Sequence, residues 1–177
     1  MRCDRQPRQS TKSADAPRES ALGDNERMPY ADLRKGRFSE AGRAYFITTV
    51  IAGRKPVFTD FQAARLLVGE ARCLHDAKRL RSLAWVLMPD HFHWLFQLAE
   101  DGDLGRIVGS FKGGSSRRIN RHFGSTGALW QPAYFDHAVR ADEDIAQIAR
   151  YIVANPLRAG IVKTLGEYPH WDAEWLE

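Results

Sequence analysis

The stretch "VLMPDHFHWLF", Val86 to Phe96, places two histidines one residue apart in an otherwise almost wholly apolar sequence. The turn pair Pro89-Asp90 divides two apolar runs, which predicts a hairpin or a similarly tight antiparallel connection between two central strands. Alternate residues of a strand share a face. His91 and His93 are therefore expected on one face of the sheet, opposite a face of buried aromatic side chains.

The sequence before this hairpin predicts a strand and a helix. "RAYFITTVIAG" is rich in β-branched and aromatic residues and is interpreted as a first strand, from roughly Ala44 to Ala52. "FQAARLLVGEARCLHDAKRL" carries apolar residues at helical spacing, and Asp60 is placed to cap the start of that helix. The apolar positions are Phe61, Ala64, Leu67, Val68, Ala71 and Leu74.

A second helix is predicted after the hairpin, from about Leu104 to His122. Gly113 and Gly114 lower its stability by about 2 kcal/mol relative to alanine. A break at that point would fit the sequence. One side of the helix is apolar, with Leu104, Ile107, Val108 and Phe111.

After "AYFDHAVR", interpreted as a short strand, "ADEDIAQIARYIVANP" predicts a third helix. Asp142 is expected as its N-cap, with Glu143 and Asp144 in the first turn and Pro156 just beyond the end. The order of elements is then β-α-β-β-α-β with a terminal helix. This order predicts an α+β fold, a ferredoxin-like split βαβ antiparallel sheet with helices on one face.

The composition favours one globular unit. The 177 residues, of which 44% are hydrophobic, suffice for one core but not for two ordinary domains. Residues 1–27 are polar and are interpreted as a disordered N-terminal extension, with residues 28–177 as the single domain and Met28 as a second candidate start. No stretch approaches the roughly 18 apolar residues of a membrane span, so we expect a cytoplasmic protein. Cys3 and Cys73 suggest no disulfide framework.

Two imidazoles on one strand face can grip a single cation, so a His-x-His spacing suits metal binding. The alternative is a pair of hydrogen-bonded histidines on a half-buried sheet. The motif alone leaves both interpretations open.

The predicted third helix adds a second candidate group. Tyr151 flanks its apolar stripe, and Asn155 follows one turn later on the same side. This pair suits a nucleophile with a metal ligand, and the alternative is an amphipathic tyrosine at the edge of the core. The stripe consists of Ile145, Ile148, Ala149, Ile152 and Val153.

The sequence resembles the REP-associated tyrosine transposases, which are relatives of the small HUH single-strand transposases. The resemblance rests on three blocks in this order and at this separation: "MPDHFHWLF", "LWQPAYFDHAVR" and "YIVANPLRAGIV". The resemblance runs from about Met28 to about Lys163. It implies a ferredoxin-like catalytic domain and a tyrosine that cleaves single-stranded DNA next to a hairpin of the repeated extragenic palindrome (REP) type. Asp90 stands where the family often has Asn, and both residues suit that turn.

The resemblance also implies roles for individual residues. His91 and His93 match the HUH pair of the family, which holds a divalent metal. Tyr151 matches the nucleophile, so the implied catalytic residues are Tyr151, His91 and His93. Asn155 matches the amide that completes the metal site. The implied metal is Mg²⁺ or Mn²⁺, and the implied product is a 5′-phosphotyrosine with a free 3′-OH. The expected partner is single-stranded or hairpin DNA, bound by a monomer or a homodimer. A cytoplasmic protein with this partner is expected to be nucleoid-associated.

Basic and aromatic residues suit DNA binding. A net charge of +4 favours polyanionic partners weakly, and clustered cations bind phosphates independently of sequence. The alternative is a solvated basic surface. The candidate DNA contacts are Arg34, Lys35 and Arg37 before the first strand and Arg106, Lys112, Arg117, Arg118 and Arg121 on the second helix. Unpaired bases could stack on Trp130, Tyr134 or Phe135, although burial in the core is the more frequent use of such residues.

Two other functions compete with the tyrosine transposase. One is a non-catalytic protein that binds DNA hairpins with the same fold. The other is a nucleotide hydrolase of the histidine-triad type, but that pattern needs a third alternate histidine where Leu95 stands. Within the favoured function, Tyr134 is the rival of Tyr151 as the nucleophile.

Overall fold

The computed structural model describes residues 39–141 and 143–175. Its centre is a five-stranded antiparallel sheet in the order β4-β1-β3-β2-β5. The strands are β1 (Ala44–Val50), β2 (Leu80–Met88), β3 (His91–Leu98), β4 (Phe135–Ala138) and β5 (Trp171–Ala173). The helices are α1 (Phe61–Asp76), α2 (Leu104–Phe123), α3 (Ile145–Val153) and α4 (Asn155–Arg158).

This architecture confirms the predicted α+β, ferredoxin-like sheet, to which β5 adds an edge strand beside β2. The predicted extension, residues 1–27, lies outside the described residues, as does the segment with Arg34, Lys35 and Arg37. Within residues 39–141 and 143–175, no helix has the length and apolar character needed to cross a bilayer.

The core face of the sheet is the face that α1 and α2 cover. Phe92, Trp94 and Phe96 of β3 project to it and are fully buried. The ring of Phe111 in α2 lies with its centroid 5.5 Å from that of Phe92 and 5.1 Å from that of Trp94. Full burial of one such aromatic side chain contributes about 1.5 to 3 kcal/mol. This face therefore holds the main core.

The two helices on the core face begin where the sequence predicts. Asp60 caps α1, because its side chain accepts a hydrogen bond of 2.7 Å from the backbone N–H of Ala63. Phe61, however, is 61% exposed and was wrongly placed in the apolar stripe. It occupies the first helical position, and the buried stripe starts only at Ala63.

Helix α2 continues unbroken through Gly113 and Gly114 to Phe123. A β-carbon at Gly114 would overlap the carboxylate of Glu70, which comes from α1. The glycine thus permits a close approach of the two helices, and their packing offsets its low helix propensity.

Helix α3 lies on the opposite face of the sheet, which we call the open face. Ala149 and Ile152 of α3 pack there against Val86 and Leu95. The N-cap of α3 is Asp144, whose side chain accepts hydrogen bonds from the backbone N–H groups of the second and third helical residues.

The prediction of Asp142 as the N-cap was therefore wrong. Helix α3 begins at Ile145, two residues later than that cap implies. Glu143 precedes the helix, and its carboxylate accepts hydrogen bonds from the His137 ring and the backbone N–H of Arg140. Aspartate suits a cap wherever it stands beside a helix start, and the side chain of Asp144 is the one that accepts from the free N–H groups.

Strand β1 is shorter than predicted. It ends at Val50, and residues Ala52–Arg54 form a short 3-10 turn in which Gly53 has a φ of 68°. A glycine adopts this left-handed conformation readily. The turn ends the strand before the predicted Ala52.

Candidate active site

The histidine pair lies at the start of β3, directly after the predicted two-residue turn Pro89-Asp90. Antiparallel pairing with β1 places His91 opposite Val50 and His93 opposite Thr48. Both histidines share the open face with Leu95, on which α3 packs. The structure thus brings the two imidazoles together on the face that carries α3.

Hydrogen bonds at the outer nitrogens orient the two rings. His91 Nδ1 lies 2.5 Å from Asp90 Oδ1, and His93 Nδ1 lies 2.7 Å from Thr48 Oγ1. The two Nε2 atoms then face each other at 3.1 Å. Bonds of this kind at the second nitrogen hold the rings of metal-binding histidines.

With both rings neutral, one proton arrangement satisfies all three contacts. Asp90 accepts from His91 Nδ1–H, which leaves the lone pair of His91 on Nε2. That lone pair accepts from His93 Nε2–H, and His93 Nδ1 accepts from the Thr48 hydroxyl. A hydroxyl is both donor and acceptor, so Thr48 can also accept from His93 when Nε2 is needed as a ligand.

Burial keeps His93 neutral. Desolvation lowers its pKa to about 3, and the charge of Arg158 and the charge that His91 carries when protonated act in the same direction. Burial alone would raise the pKa of Asp90, but hydrogen bonds and charge interactions with His91 and Arg54 outweigh it and hold that pKa below its ordinary value. The pair therefore combines a neutral imidazole with an ionised carboxylate at its outer side.

The spacing of the two Nε2 atoms fits a shared metal ion. Two nitrogen ligands about 2.1 Å from one ion and at right angles to each other lie about 3.0 Å apart. In the described parts of the chain, no cluster of three or more His, Cys, Asp or Glu side chains is arranged to hold a metal ion. A further protein ligand would thus be of another type, such as an amide oxygen.

Asn155 lies where α3 passes into α4. Its Nδ2 donates to the carbonyl oxygens of Tyr151 at 3.2 Å and Ile152 at 2.8 Å, so it holds the last turn of α3. These bonds use the nitrogen of the amide, whereas a metal ion would bind the oxygen. Asn155 is predicted from the sequence as a metal ligand, and its contacts here are with its own helix.

The two candidate nucleophiles lie on different faces of the sheet. Tyr151 belongs to α3, on the open face with the histidines, and is 48% exposed. Tyr134 packs against the cluster that contains Phe92 and Trp94, on the core face. The sheet therefore separates Tyr134 from the histidine pair.

Arg158 is a residue that the sequence analysis missed. Its guanidinium carbon lies 4.1 Å from the centroid of the Tyr151 ring. Its charge is also one of the smaller causes that lower the pKa of His93, after desolvation. Its spacing from Tyr151 could have identified it in the sequence. Arg158 follows Tyr151 by seven residues, which is two helical turns and places both side chains on the same side of a helix.

A family model described as "Transposase IS200 like" matches residues 42–155. The chain belongs to this family. It is similar to a REP-associated tyrosine transposase of Escherichia coli (strain K12), with 28% identity over 141 residues, which cover 75% of this chain and 78% of that protein. A Haemophilus influenzae protein named for the same group is 29% identical over 140 residues, which cover 73% and 78% of the two chains.

A solved structure of a REP-associated tyrosine transposase bound to a REP hairpin is also similar, with a TM-score of 0.65 and 25% identity. The match covers 76% of this chain and 79% of that one. The resemblance to REP-associated tyrosine transposases predicted from the sequence is thereby confirmed.

A row of aromatic rings leads from the histidines of this transposase to the edge of the sheet. The His93 ring centroid lies 5.6 Å from that of Phe46, which lies 6.2 Å from that of Phe135 on edge strand β4. Phe135 is 56% exposed, whereas Trp130 is buried and Tyr134 packs on the core. Of the three aromatic residues considered for base stacking, Phe135 has the accessible ring.

The predicted DNA contacts of α2 lie on the core-face side of the transposase, because α2 packs there. Arg106, Arg117 and Arg121 are exposed. Two others have partners within the protein. Lys112 Nζ donates to the carbonyl oxygens of residues 131, 132 and 133, and burial lowers the pKa of Lys112. Arg118 Nε lies 3.2 Å from Glu70 Oε2.

A cavity of about 510 Å³ lies beside the same helix. Its walls include Gly109 and Lys112 of α2 and the loop from Ala128 to Tyr134. Neither the histidine pair nor Tyr151 lines it, so its volume is separate from the candidate active site.

Proposed function

We propose that this transposase is a single-stranded DNA endonuclease and strand transferase that recognises REP-type hairpins and cleaves DNA through Tyr151. The observation that carries the proposal is the common location of the histidine pair and α3 on the open face, with Tyr134 on the other side of the sheet. Membership of the transposase family supports the reaction class.

The reaction needs one nucleophile and one leaving group. The phenol oxygen of Tyr151 attacks the phosphorus and loses its proton to solvent. The bond from phosphorus to the 3′ oxygen breaks, and that oxygen takes up a proton to become a free 3′-OH. The product is a 5′-phosphotyrosine. Because the covalent bond conserves the energy of the phosphodiester, the reverse attack by another 3′-OH joins strands without ATP.

The histidine pair is proposed to hold Mg²⁺ or Mn²⁺ through the Nε2 atoms, with the Asn155 amide oxygen as a further ligand. The ion, when bound, supplies Lewis-acid stabilisation of charge on the scissile phosphate. Thr48 and Asp90 orient the two imidazole rings, because their hydrogen bonds to the Nδ1 atoms keep both Nε2 atoms directed at one point.

DNA binding is proposed to use two surfaces. Arg106, Arg117 and Arg121 bind phosphates on the side of α2, and Phe135 stacks on an unpaired base beside the histidine pair. The solved relative bound to a REP hairpin supports a hairpin as the ligand. A protein with this partner would reside with the nucleoid.

A second candidate function is hairpin binding without catalysis. The observation that favours it is the complete hydrogen bonding of the histidine pair, whose four ring nitrogens have partners in Asp90, Thr48 and each other without a metal. Such a pair could be purely structural.

Incubation of the protein with end-labelled single-stranded hairpin DNA and Mn²⁺, followed by a denaturing gel, separates the two functions. The proposed reaction gives a slowly migrating band that protease treatment removes. Binding without that band, over a range of Mg²⁺ and Mn²⁺ concentrations and hairpin sequences, would support the non-catalytic function.

A further inference from the structure

The guanidinium of Arg158 lies on the ring face of Tyr151. The distance of 4.1 Å from the guanidinium carbon to the ring centroid is well within the roughly 6 Å of a cation–π contact. Both side chains are exposed, so core packing does not force this contact. It arises from the course of the main chain.

The main chain continues almost as one helix from α3 into α4. Ala154, between them, has helical φ and ψ of −76° and −4°. The N–H of Arg158 donates to the carbonyl oxygen of Ala154 at 3.1 Å, and Gly160 with a φ of 66° ends the helical path soon afterwards. Arg158 therefore lies two turns beyond Tyr151 on the same side, with Asn155 between them.

We propose that Arg158 is a positioning residue for Tyr151 in the cleavage reaction, an inference that rests on the function proposed above. Arginine stays protonated and has no acceptor, so it cannot remove the proton of the phenol. Its charge over the ring holds the ring in one orientation and stabilises the negative charge that the phenol develops as it attacks phosphorus.

This role predicts an effect on rate and not on DNA affinity. The negative charge on the phenol is largest in the transition state, and an interaction that is stronger there raises the rate of the chemical step. A cation that only bound phosphate would instead strengthen the complex before reaction. Loss of a positioning residue thus changes the rate constant of the chemical step, whereas loss of a phosphate-binding residue changes the dissociation constant for DNA.

Arg150 supplies the matched control. It is an exposed arginine on the same helix, adjacent to Tyr151 in sequence and therefore about 100° away around the helix. Removing either arginine changes the net charge equally. Only Arg158 is expected to affect the nucleophile.

The contact itself is tested without DNA. In the NMR spectrum of the full-length protein, the δ-methylene protons of Arg158 should be shifted upfield by the ring current of Tyr151, and Tyr151→Leu should abolish that shift. An unshifted Arg158 in the wild-type protein would overturn the inference, whatever the reaction.

The consequence is tested by single-turnover formation of the covalent adduct at saturating hairpin DNA with Mn²⁺. Arg158→Met should lower the rate constant about 3- to 30-fold with the dissociation constant for DNA unchanged. Arg158→Lys, which keeps the charge, should recover part of the rate, and Arg150→Met should react like the wild type.

An unchanged rate in Arg158→Met, or a loss of DNA affinity alone, contradicts the role of Arg158. If the wild-type protein forms no adduct at all, the proposed function fails instead. The two failures are therefore distinguishable.

Discussion

The core face and the open face of the sheet are built from the same strands but differ in how completely helices cover them. Helices of 16 and 20 residues cover the core face, where the aromatic residues of β3 are fully buried. A helix of 9 residues covers part of the open face and leaves His91 and His93 partly accessible. The main core thus lies on one side of strand β3, and the proposed chemistry lies on the other.

The largest expected effect is on the open face. Replacing both His91 and His93 with alanine should abolish adduct formation, because neither imidazole alone fixes a cation, while the fold and hairpin binding persist. Adduct yield on a denaturing gel and hairpin affinity by fluorescence anisotropy test this pair of outcomes. Cleavage by the double variant without added metal would refute the proposed metal site.

On the core face, the expected effect is on stability. Trp94→Ala should lower the free energy of unfolding by about 3 to 5 kcal/mol, since it leaves a large cavity and removes the hydrogen bond from Nε1 to Ser82 Oγ. Phe135→Ala, at the exposed end of the aromatic row, should change it by less than about 0.5 kcal/mol. Denaturant unfolding measures both, and similar losses would show that the faces do not divide the roles in this way.

Two adjacent threonines sharpen the comparison. Thr48 is hydrogen-bonded to His93 on the open face, so Thr48→Val should lower adduct formation or metal affinity about 10- to 100-fold. Thr49 is fully buried, and its hydroxyl has no hydrogen-bond partner in residues 39–141 and 143–175. Thr49→Val should therefore raise the free energy of unfolding by about 1 kcal/mol with the activity unchanged. Equal effects of the two variants on activity would contradict the role given to Thr48.

A further expected effect is a pH dependence of stability. The pKa of His93 is about 3 in the folded protein and 6.5 ordinarily. The folded state thus binds fewer protons than the unfolded state between these values. The contribution of His93 to the free energy of unfolding should be fully present above pH 6.5 and should be lost as the pH decreases towards 3.

Urea unfolding across this range, with chelator present, measures the dependence on pH. His93→Gln has no group that titrates there and should give a flatter profile. If its profile matches that of the wild type, His93 is not buried as a neutral base.

Features that depend on neighbouring residues were predictable from the sequence. The alternation in β3 placed the histidines, and the turn residues Pro89-Asp90 located the hairpin. The cap at Asp60 followed from one side chain and the N–H groups beside it. Each of these features is decided within a few residues.

Features that depend on long-range pairing were not predictable in the same way. Tyr134 lies on the core face because of the register of β4 with β1, which no local pattern contains. The contact of Arg158 with Tyr151 requires the helical path to continue through Ala154. Edge strand β5 has three residues, too few for a strand pattern to emerge.

Peptide mapping of the trapped DNA–protein adduct tests the central claim most directly, because the two candidate tyrosines lie on opposite faces. We expect the DNA on the peptide that contains Tyr151. Tyr151→Phe should fold and bind hairpin DNA but form no adduct, and Tyr134→Phe should still form it. DNA attached to Tyr134, or normal cleavage by Tyr151→Phe, would contradict the assignment of the chemistry to the open face.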